Sequence, residues 1–173
     1  MTDLAHDVKE ALRDVPDFPR DGVLFKDITP ILAQPALMKR ICDTMAEGWG
    51  PIDVVVGMES RGFLFGVPVA ERLGAAFAPA RKAGKLPHAT VSVDFELEYG
   101  SATLEMHVDA LTKGQRVLII DDLLATGGTA AATLALVRQL GGEVAGFGFL
   151  IELGFLEGRA RLDAEVRSIL SVP

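Results

Sequence analysis

The apolar run Val117-Leu118-Ile119-Ile120 leads into two aspartates, Asp121 and Asp122, and then into Leu123-Leu124-Ala125-Thr126-Gly127-Gly128-Thr129. An uncharged, β-branched run of this kind reads as a strand buried on both faces, the habit of parallel sheets covered by helices. The small, hydroxyl- and glycine-rich stretch after it can turn the chain, and 129–140 reads as a helix that ends at Gly141-Gly142. Strand, turn and helix in this order point to βαβ units, and the rest of the chain repeats the alternation. Runs 52–56 and 144–151 read as further buried strands, 77–79 as a short one, and 63–73 as a helix stopped by Gly74. Segments 90–96 and 102–107 alternate apolar and polar residues, as hairpin strands do, with residues 98–101 at the tip, and 81–87 reads as a basic, glycine-bearing loop. Near the N-terminus, Leu4, Val8 and Leu12 recur at helical spacing. Residues 15–22, with two prolines and a glycine, read as loop. Pro35 opens another helix, with Leu37, Ile41 and Met45 on one face. The expected architecture is α/β, a parallel sheet flanked by helices, in one domain over 1–173.

Composition removes several alternatives. The chain has 173 residues, 49% of them hydrophobic and 24% charged, which suits a globular domain and excludes disorder, collagen and disulfide scaffolds. Its longest uncharged stretch, 123–137, falls short of the roughly 18 apolar residues of a membrane span and contains a Gly-Gly pair. No apolar N-terminal run follows a basic segment, so no signal peptide is expected. Cys42 is the single cysteine, which makes a reducing cytoplasm the expected compartment. A net charge of −7 argues against general nucleic-acid binding, although a local cationic patch can still hold an anion.

The chemistry concentrates after the strand at 117–120. Backbone N–H groups of the loop can wrap a phosphate at the positive end of the following helix. Gly127 and Gly128 allow close approach, and Thr126 and Thr129 can add hydroxyl donors. Asp121 and Asp122 can accept from a pair of sugar hydroxyls, so the string describes a site for a ribose 5-phosphate. The plainer alternative is a strand–turn–helix with no ligand. It is not a P-loop, because no lysine precedes Thr129. Available cations are Arg61, Arg81, Lys82 and Lys85, though Arg81-Lys82 reads equally well as a solvated turn. Cys42 suits a small core filler, Trp49 a packing residue, His6 a surface and His107 a strand end. His88 stands beside the basic loop without a clear role, and no Cys/His cluster points to zinc.

The string 117–129 resembles the phosphoribosyl-diphosphate-binding motif of the type I phosphoribosyltransferases. Three more segments are similar to the branch of that family that takes adenine. They are Phe18-Pro-Arg-Asp-Gly22-Val-Leu24-Phe25-Lys26-Asp27-Ile-Thr-Pro30, Glu59-Ser60-Arg61-Gly62-Phe63-Leu-Phe-Gly66, and Arg81-Lys82-Ala-Gly-Lys85-Leu-Pro87 with Leu97-Glu98-Tyr99-Gly100. The resemblance runs from about 18 to 159. It implies the type I phosphoribosyltransferase fold, with a small N-terminal hood at about 1–34 over the base and a flexible catalytic loop at about 81–103. It places the 5-phosphate on Ala125, Thr126, Gly127, Gly128 and Thr129, and the ribose on Asp121 and Asp122. The diphosphate falls to Arg61, Arg81, Lys82, Lys85 and Tyr99. Adenine would lie between Phe25 and Leu153, its edge read by the backbone of Leu24 and Lys26; from the residues alone, Phe25 and Leu153 read as core.

Family members that use hypoxanthine or guanine have an aspartate base where this chain has Ala125 and a lysine where it has Gly128. The resemblance therefore supplies Glu98 as the catalytic carboxylate, which otherwise reads as a solvated hairpin residue, and gives Glu59 the task of orienting the Arg61 turn. The implied reaction joins adenine to phosphoribosyl diphosphate, giving AMP and diphosphate. Mg²⁺ is expected as cofactor, held mainly by the substrate's diphosphate and with no protein ligand assigned. A homodimer is implied, the basic loop reaching a neighbour's site. The rivals are a phosphoribosyltransferase for xanthine or guanine, disfavoured by Ala125 and Glu98, and a non-catalytic regulator of the same fold, disfavoured by a short acidic chain.

Overall fold

The computed structural model describes residues 3–96 and 101–173. Helix α1 (Leu4–Ala11) is capped by Asp3, whose carboxylate accepts from the Ala5 N–H at 3.2 Å. The next segment departs from expectation. The expected loop holds only over 17–22: residues 15 and 16 belong to a strand, β1 (Arg13–Pro16), which pairs antiparallel with β2 (Leu24–Asp27) across it. The register sets Arg13 opposite Asp27 and Asp14 opposite Lys26, and Lys26 Nζ lies 2.6 Å from Asp14 Oδ1. Charge matching, not apolar alternation, joins these short strands, so hydropathy does not reveal them. A single turn, α2 (Thr29–Leu32), leads to α3 (Pro35–Ala46), which buries Leu37, Ile41, Cys42 and Met45.

The remaining elements are β3 (Val54–Met58), α4 (Gly62–Leu73), β4 (Ala76–Lys82), β5 (Thr90–Glu96), β6 (Ser101–His107), β7 (Arg116–Leu124), α5 (Gly128–Gln139), β8 (Glu143–Leu153) and β9 (Val166–Val172). Two 3₁₀ turns, Gly154–Leu156 and Gly158–Arg161, join the last two strands. The large sheet has the order β5-β6-β4-β3-β7-β8-β9. Its pairs from β4 to β9 are parallel, and the β5–β6 hairpin joins β4 antiparallel. Both faces are covered. Val54, Val56, Val117 and Ile119 pack with Leu134 and Val137 of α5. Val55, Leu118 and Ile120 pack with Ile41 of α3 and Phe65 of α4. Strands buried on both sides carry unbroken apolar runs, and these are the strands the sequence shows best.

Two boundaries are corrected and one strand is added. β7 does not end before the aspartates but runs through Asp121 and Asp122 to Leu124. β4 extends into Arg81 and Lys82, which read in the sequence as the start of a loop. β9, with no counterpart in the sequence reading, closes the sheet beside β8.

The connections decide where a site can form. From β3 the chain crosses through α4 to β4 on one side, and from β7 it crosses through α5 to β8 on the other. Between the carboxyl ends of β3 and β7 the connections therefore diverge, and ligands bind in the crevice at such a switch point.

Candidate active site

A cavity of about 330 Å³ occupies that crevice. Its walls are the chain leaving β3, from Met58 to Arg61, and the continuous segment from Asp121 to Ala130. Lys82 at the end of β4, Phe95, Ala102 and Leu104 of the hairpin and Phe149 of β8 complete them.

The carboxylate pair lies at its floor. Asp122 is 2% exposed, and Arg61 Nε stands 3.0 Å from its Oδ2. That approach is close but misaligned: among the described residues no donor is directed at Asp122 Oδ2, a buried acceptor left without a hydrogen bond. The Asp122 N–H donates to Asp121 Oδ1 at 2.9 Å. Burial pushes both carboxyls above the usual carboxylate range, Asp121 far above. The neighbouring Asp122 charge adds to the rise at Asp121, while Arg61 pulls both back. The Arg61 turn can come this close because residue 62 is glycine. A Cβ there would stand 2.7 Å from the Ile120 carbonyl oxygen and 2.9 Å from Asp121 Oδ1.

The loop after β7 is built for an anion. Gly127 adopts φ 80° and forms the N-cap of α5, where among the described residues no side chain caps the helix. The first-turn N–H groups are thus left for a ligand at the positive end of the helix. A Cβ on Gly127 would overlap the Gly158 carbonyl oxygen, and one on Gly158 would overlap the Ala125 carbonyl and stand 2.9 Å from the Gly127 nitrogen. Gly158 is therefore a site residue that the sequence reading missed. Its contact with the loop is long-range, and a lone glycine after a strand carries no local signal for it.

Glu59 does something other than expected. It does not orient Arg61; it holds Arg81, through Nε at 3.3 Å and Nη2 at 3.2 Å, and accepts from the Lys82 N–H at 2.9 Å. Burial alone would raise the Glu59 carboxyl, but the Lys82 N–H and the Arg81 guanidinium outweigh it and leave it below the usual range. Arg81 also donates to the Lys85 carbonyl at 3.0 Å, so its side chain braces the basic loop.

Of the expected residues, the cavity brings together Arg61, Lys82, Asp121, Asp122, Ala125, Thr126, Gly127, Gly128 and Thr129. Arg81 and Lys85 stand outside its walls, as do Leu24, Phe25, Lys26 and Leu153. Phe25 is nevertheless tied to it, since the Arg61 guanidinium carbon lies 5.3 Å from the centre of the ring. Phe18 meets the same ring edge-on at 5.1 Å. Leu24 is 52% exposed, and Leu153, the last residue of β8, is partly buried against the α3–α4 core. Glu98 and Tyr99 lie outside the described residues; the strands on either side border the cavity through Phe95 and Ala102. Among the described residues no group of three or more His, Cys, Asp or Glu side chains forms a metal cage, and no helix is long and apolar enough to cross a membrane.

Comparison with known proteins agrees with this geometry. The family described as "Phosphoribosyl transferase domain" matches residues 28–171. An adenine phosphoribosyltransferase of Acetivibrio thermocellus is 55% identical over 159 residues, spanning 90% of this chain and 93% of that one. The crystal structure of adenine phosphoribosyltransferase from Thermoanaerobacter pseudethanolicus superposes with a TM-score of 0.94 at 47% identity, covering 97% of this chain and 99% of that one. The Saccharomyces cerevisiae enzyme, solved with an imino-altritol bisphosphate and adenine, superposes with a TM-score of 0.90 at 43% identity over 96% of this chain and 98% of its own. An aspartate pair and a glycine loop at the switch point of such a sheet, in a chain this similar to these enzymes over nearly its whole length, mean that it belongs to the phosphoribosyltransferase family, in its adenine phosphoribosyltransferase branch.

Proposed function

We propose that the cavity between the ends of β3 and β7 seats phosphoribosyl transfer and that its residues divide the substrate between them. The chain is a pentosyltransferase that joins adenine to the ribose of phosphoribosyl diphosphate, giving AMP and diphosphate in purine salvage. The observation that carries the assignment of roles is that the buried Asp122, the partly exposed Asp121 beside it and the uncapped start of α5 share one cavity. The loop Ala125–Thr129 would take the 5-phosphate, and the two aspartates the ribose hydroxyls. The bond from the sugar carbon to diphosphate breaks as the adenine nitrogen bonds to that carbon, so negative charge gathers on the leaving group. Arg61 and Lys82 line the cavity where cations would stabilise it. Arg81, near the end of β4 and held by Glu59, braces the loop that carries Lys85, and we assign both to the diphosphate of a neighbouring subunit, in a homodimer.

The residues present fit Mg²⁺ held chiefly by substrate. The ion is usually bound by one or two carboxylates plus phosphates, and Asp121 and Asp122, the latter through its orphaned Oδ2, offer hard oxygen beside the cavity. When bound it would offset charge on the diphosphate. Phe25, packed under Arg61, and Leu153 would grip the ring, with the Leu24 and Lys26 backbone at its edge. The buried free Cys42 suits a reducing compartment such as the cytoplasm.

Mixing the protein with Mg²⁺, phosphoribosyl diphosphate and each nucleobase in turn tests the reading. Diphosphate release with adenine, and none with guanine, hypoxanthine or xanthine, is the expected result; release with guanine would overturn the base assignment. The ring proton must leave as the nitrogen bonds to the sugar, and Ala125 cannot take it. Glu98 is our candidate base. Glu98→Gln should lower kcat by at least about 10-fold, the modest side of general-base effects, with AMP affinity unchanged. A kcat within twofold of wild type, chemistry being rate-limiting, would remove Glu98 from the mechanism.

A further inference from the structure

Beyond the cavity, a buried carboxylate is committed to an arginine that the roles above leave unused. Glu152 is 8% exposed, next to last in β8 and just before Leu153. Its oxygens accept from Arg159 Nε at 2.9 Å, from Arg159 Nη2 at 2.5 Å and from the Ser168 hydroxyl at 2.5 Å. Arg159 also donates to the Val166 carbonyl at 2.7 Å and to Ser168 Oγ at 3.3 Å. A two-pronged guanidinium–carboxylate pair fixes direction as well as distance. Here it ties the end of β8 to the second 3₁₀ turn and to β9.

What lies at the two ends of this tie is informative. Leu153, next to Glu152, is the proposed wall of the base site. Gly158, next to Arg159, has its backbone against Ala125 and Gly127 with no space for a Cβ. Between them lies the first 3₁₀ turn, Gly154–Leu156, and Glu157 at φ 51°. The tie spans the first turn and ends in the second, beside Gly158, and so sets the wall relative to the phosphate loop.

We propose that Arg159, gripped by Glu152 and Ser168, is a positioning residue that holds the base wall and the 5-phosphate loop in one frame, so that both ends of a nucleotide fit at once. The proposal rests on the reading of Leu153 and the Ala125–Thr129 loop given above. The Arg159 hydrogen bond, ahead of opposing burial, keeps the Glu152 carboxyl below the usual range, so the tie stays ionised through neutral pH.

The test uses the full-length chain. Arg159→Met keeps length and loses the fork, Arg159→Lys keeps the charge but offers a single point donor, and Ser168→Ala trims the third partner. Calorimetric AMP binding and KM for adenine and for phosphoribosyl diphosphate are measured beside the melting temperature. In Arg159→Met the AMP Kd and both KM values should rise together by at least about tenfold, since a misplacement of order 1 Å can cost about 10²-fold. Arg159→Lys should fall between that variant and wild type. A residue that merely stabilises the fold would lower Tm and leave these constants unchanged in the folded protein. That result in Arg159→Met, or in Arg159→Lys and Ser168→Ala should the first fail to fold, overturns the proposal. Wild-type protein that does not bind AMP would overturn the reading of the site and the proposal with it; wild-type binding with unchanged variants overturns the proposal alone.

Discussion

Replacing Asp121 and Asp122 together by asparagine should lower kcat/KM for phosphoribosyl diphosphate by at least about 10²-fold, while the unliganded protein becomes harder to unfold at pH 8. The two effects share one cause. Each carboxylate removed costs a charge-assisted hydrogen bond to the ribose, about 1.5–3 kcal/mol apiece, and neighbours rarely add fully, hence the conservative figure. In the free protein the same two charges are a liability, because burial holds both carboxyls above their ordinary values. A carboxyl raised on folding contributes stability that is present below its unfolded value and lost as pH rises through the folded one. Neutral asparagine removes that loss. The gain in Tm should therefore be largest at pH 8 and shrink on acidification toward pH 4, amounting to about 2–4 °C for each kcal/mol relieved in a domain of this size. Thermal melts across pH, together with steady-state kinetics, check both halves. A double variant with wild-type kcat/KM would refute the ribose assignment, and a Tm lowered at pH 8 would refute the electrostatic account.

The parts of this molecule that could be read from its sequence are those whose cause is local. The runs containing Val54–Val56, Val117–Ile120 and Phe147–Leu150 are apolar because both faces of the sheet are covered, and so they announce themselves. The phosphate loop is legible for a similar reason: its aspartates, threonines and glycines are contiguous, and one strand–turn–helix delivers them all to the cavity. Other parts are invisible because their cause is distant or not hydrophobic. β1 and β2 join through Arg13–Asp27 and Asp14–Lys26, a matching of charges that hydropathy does not see. Glu59 finds Arg81 rather than the neighbouring Arg61, because β3 and β4 end side by side; twenty-odd residues of intervening helix and strand conceal that pairing. Gly158 and Arg159 act on a loop and a strand that the fold alone brings to them. Family resemblance named the phosphate and ribose residues, and the structure brings those to one cavity; for the base, it ties Phe25 to Arg61 and leaves Leu153 at the end of β8.

That dependence of the phosphate loop on a remote glycine leads to the second large effect. Gly127→Ala should weaken binding of both AMP and ribose 5-phosphate by about 10²-fold, the cost of displacing a positioned site by order 1 Å. Two penalties act on the new methyl group. Gly127 has φ 80°, a left-handed conformation that costs other residues roughly 1–2 kcal/mol. More important, the Cβ would overlap the Gly158 carbonyl oxygen and stand 3.2 Å from the Gly158 Cα, backbone atoms that cannot rotate away. The loop must therefore retreat, turning the first N–H groups of α5 away from the phosphate they would hold. Gly74→Ala separates the two penalties. Gly74 caps the far end of α4 at φ 62°, and a Cβ there would meet nothing within 4 Å, so it carries the conformational cost without the collision. It should lose stability and bind AMP as wild type does. Calorimetry with AMP and ribose 5-phosphate on both variants, each shown to be folded, decides the matter. If Gly127→Ala binds ribose 5-phosphate as tightly as Gly74→Ala does, the backbone contact between residues 127 and 158 does not shape the phosphate site.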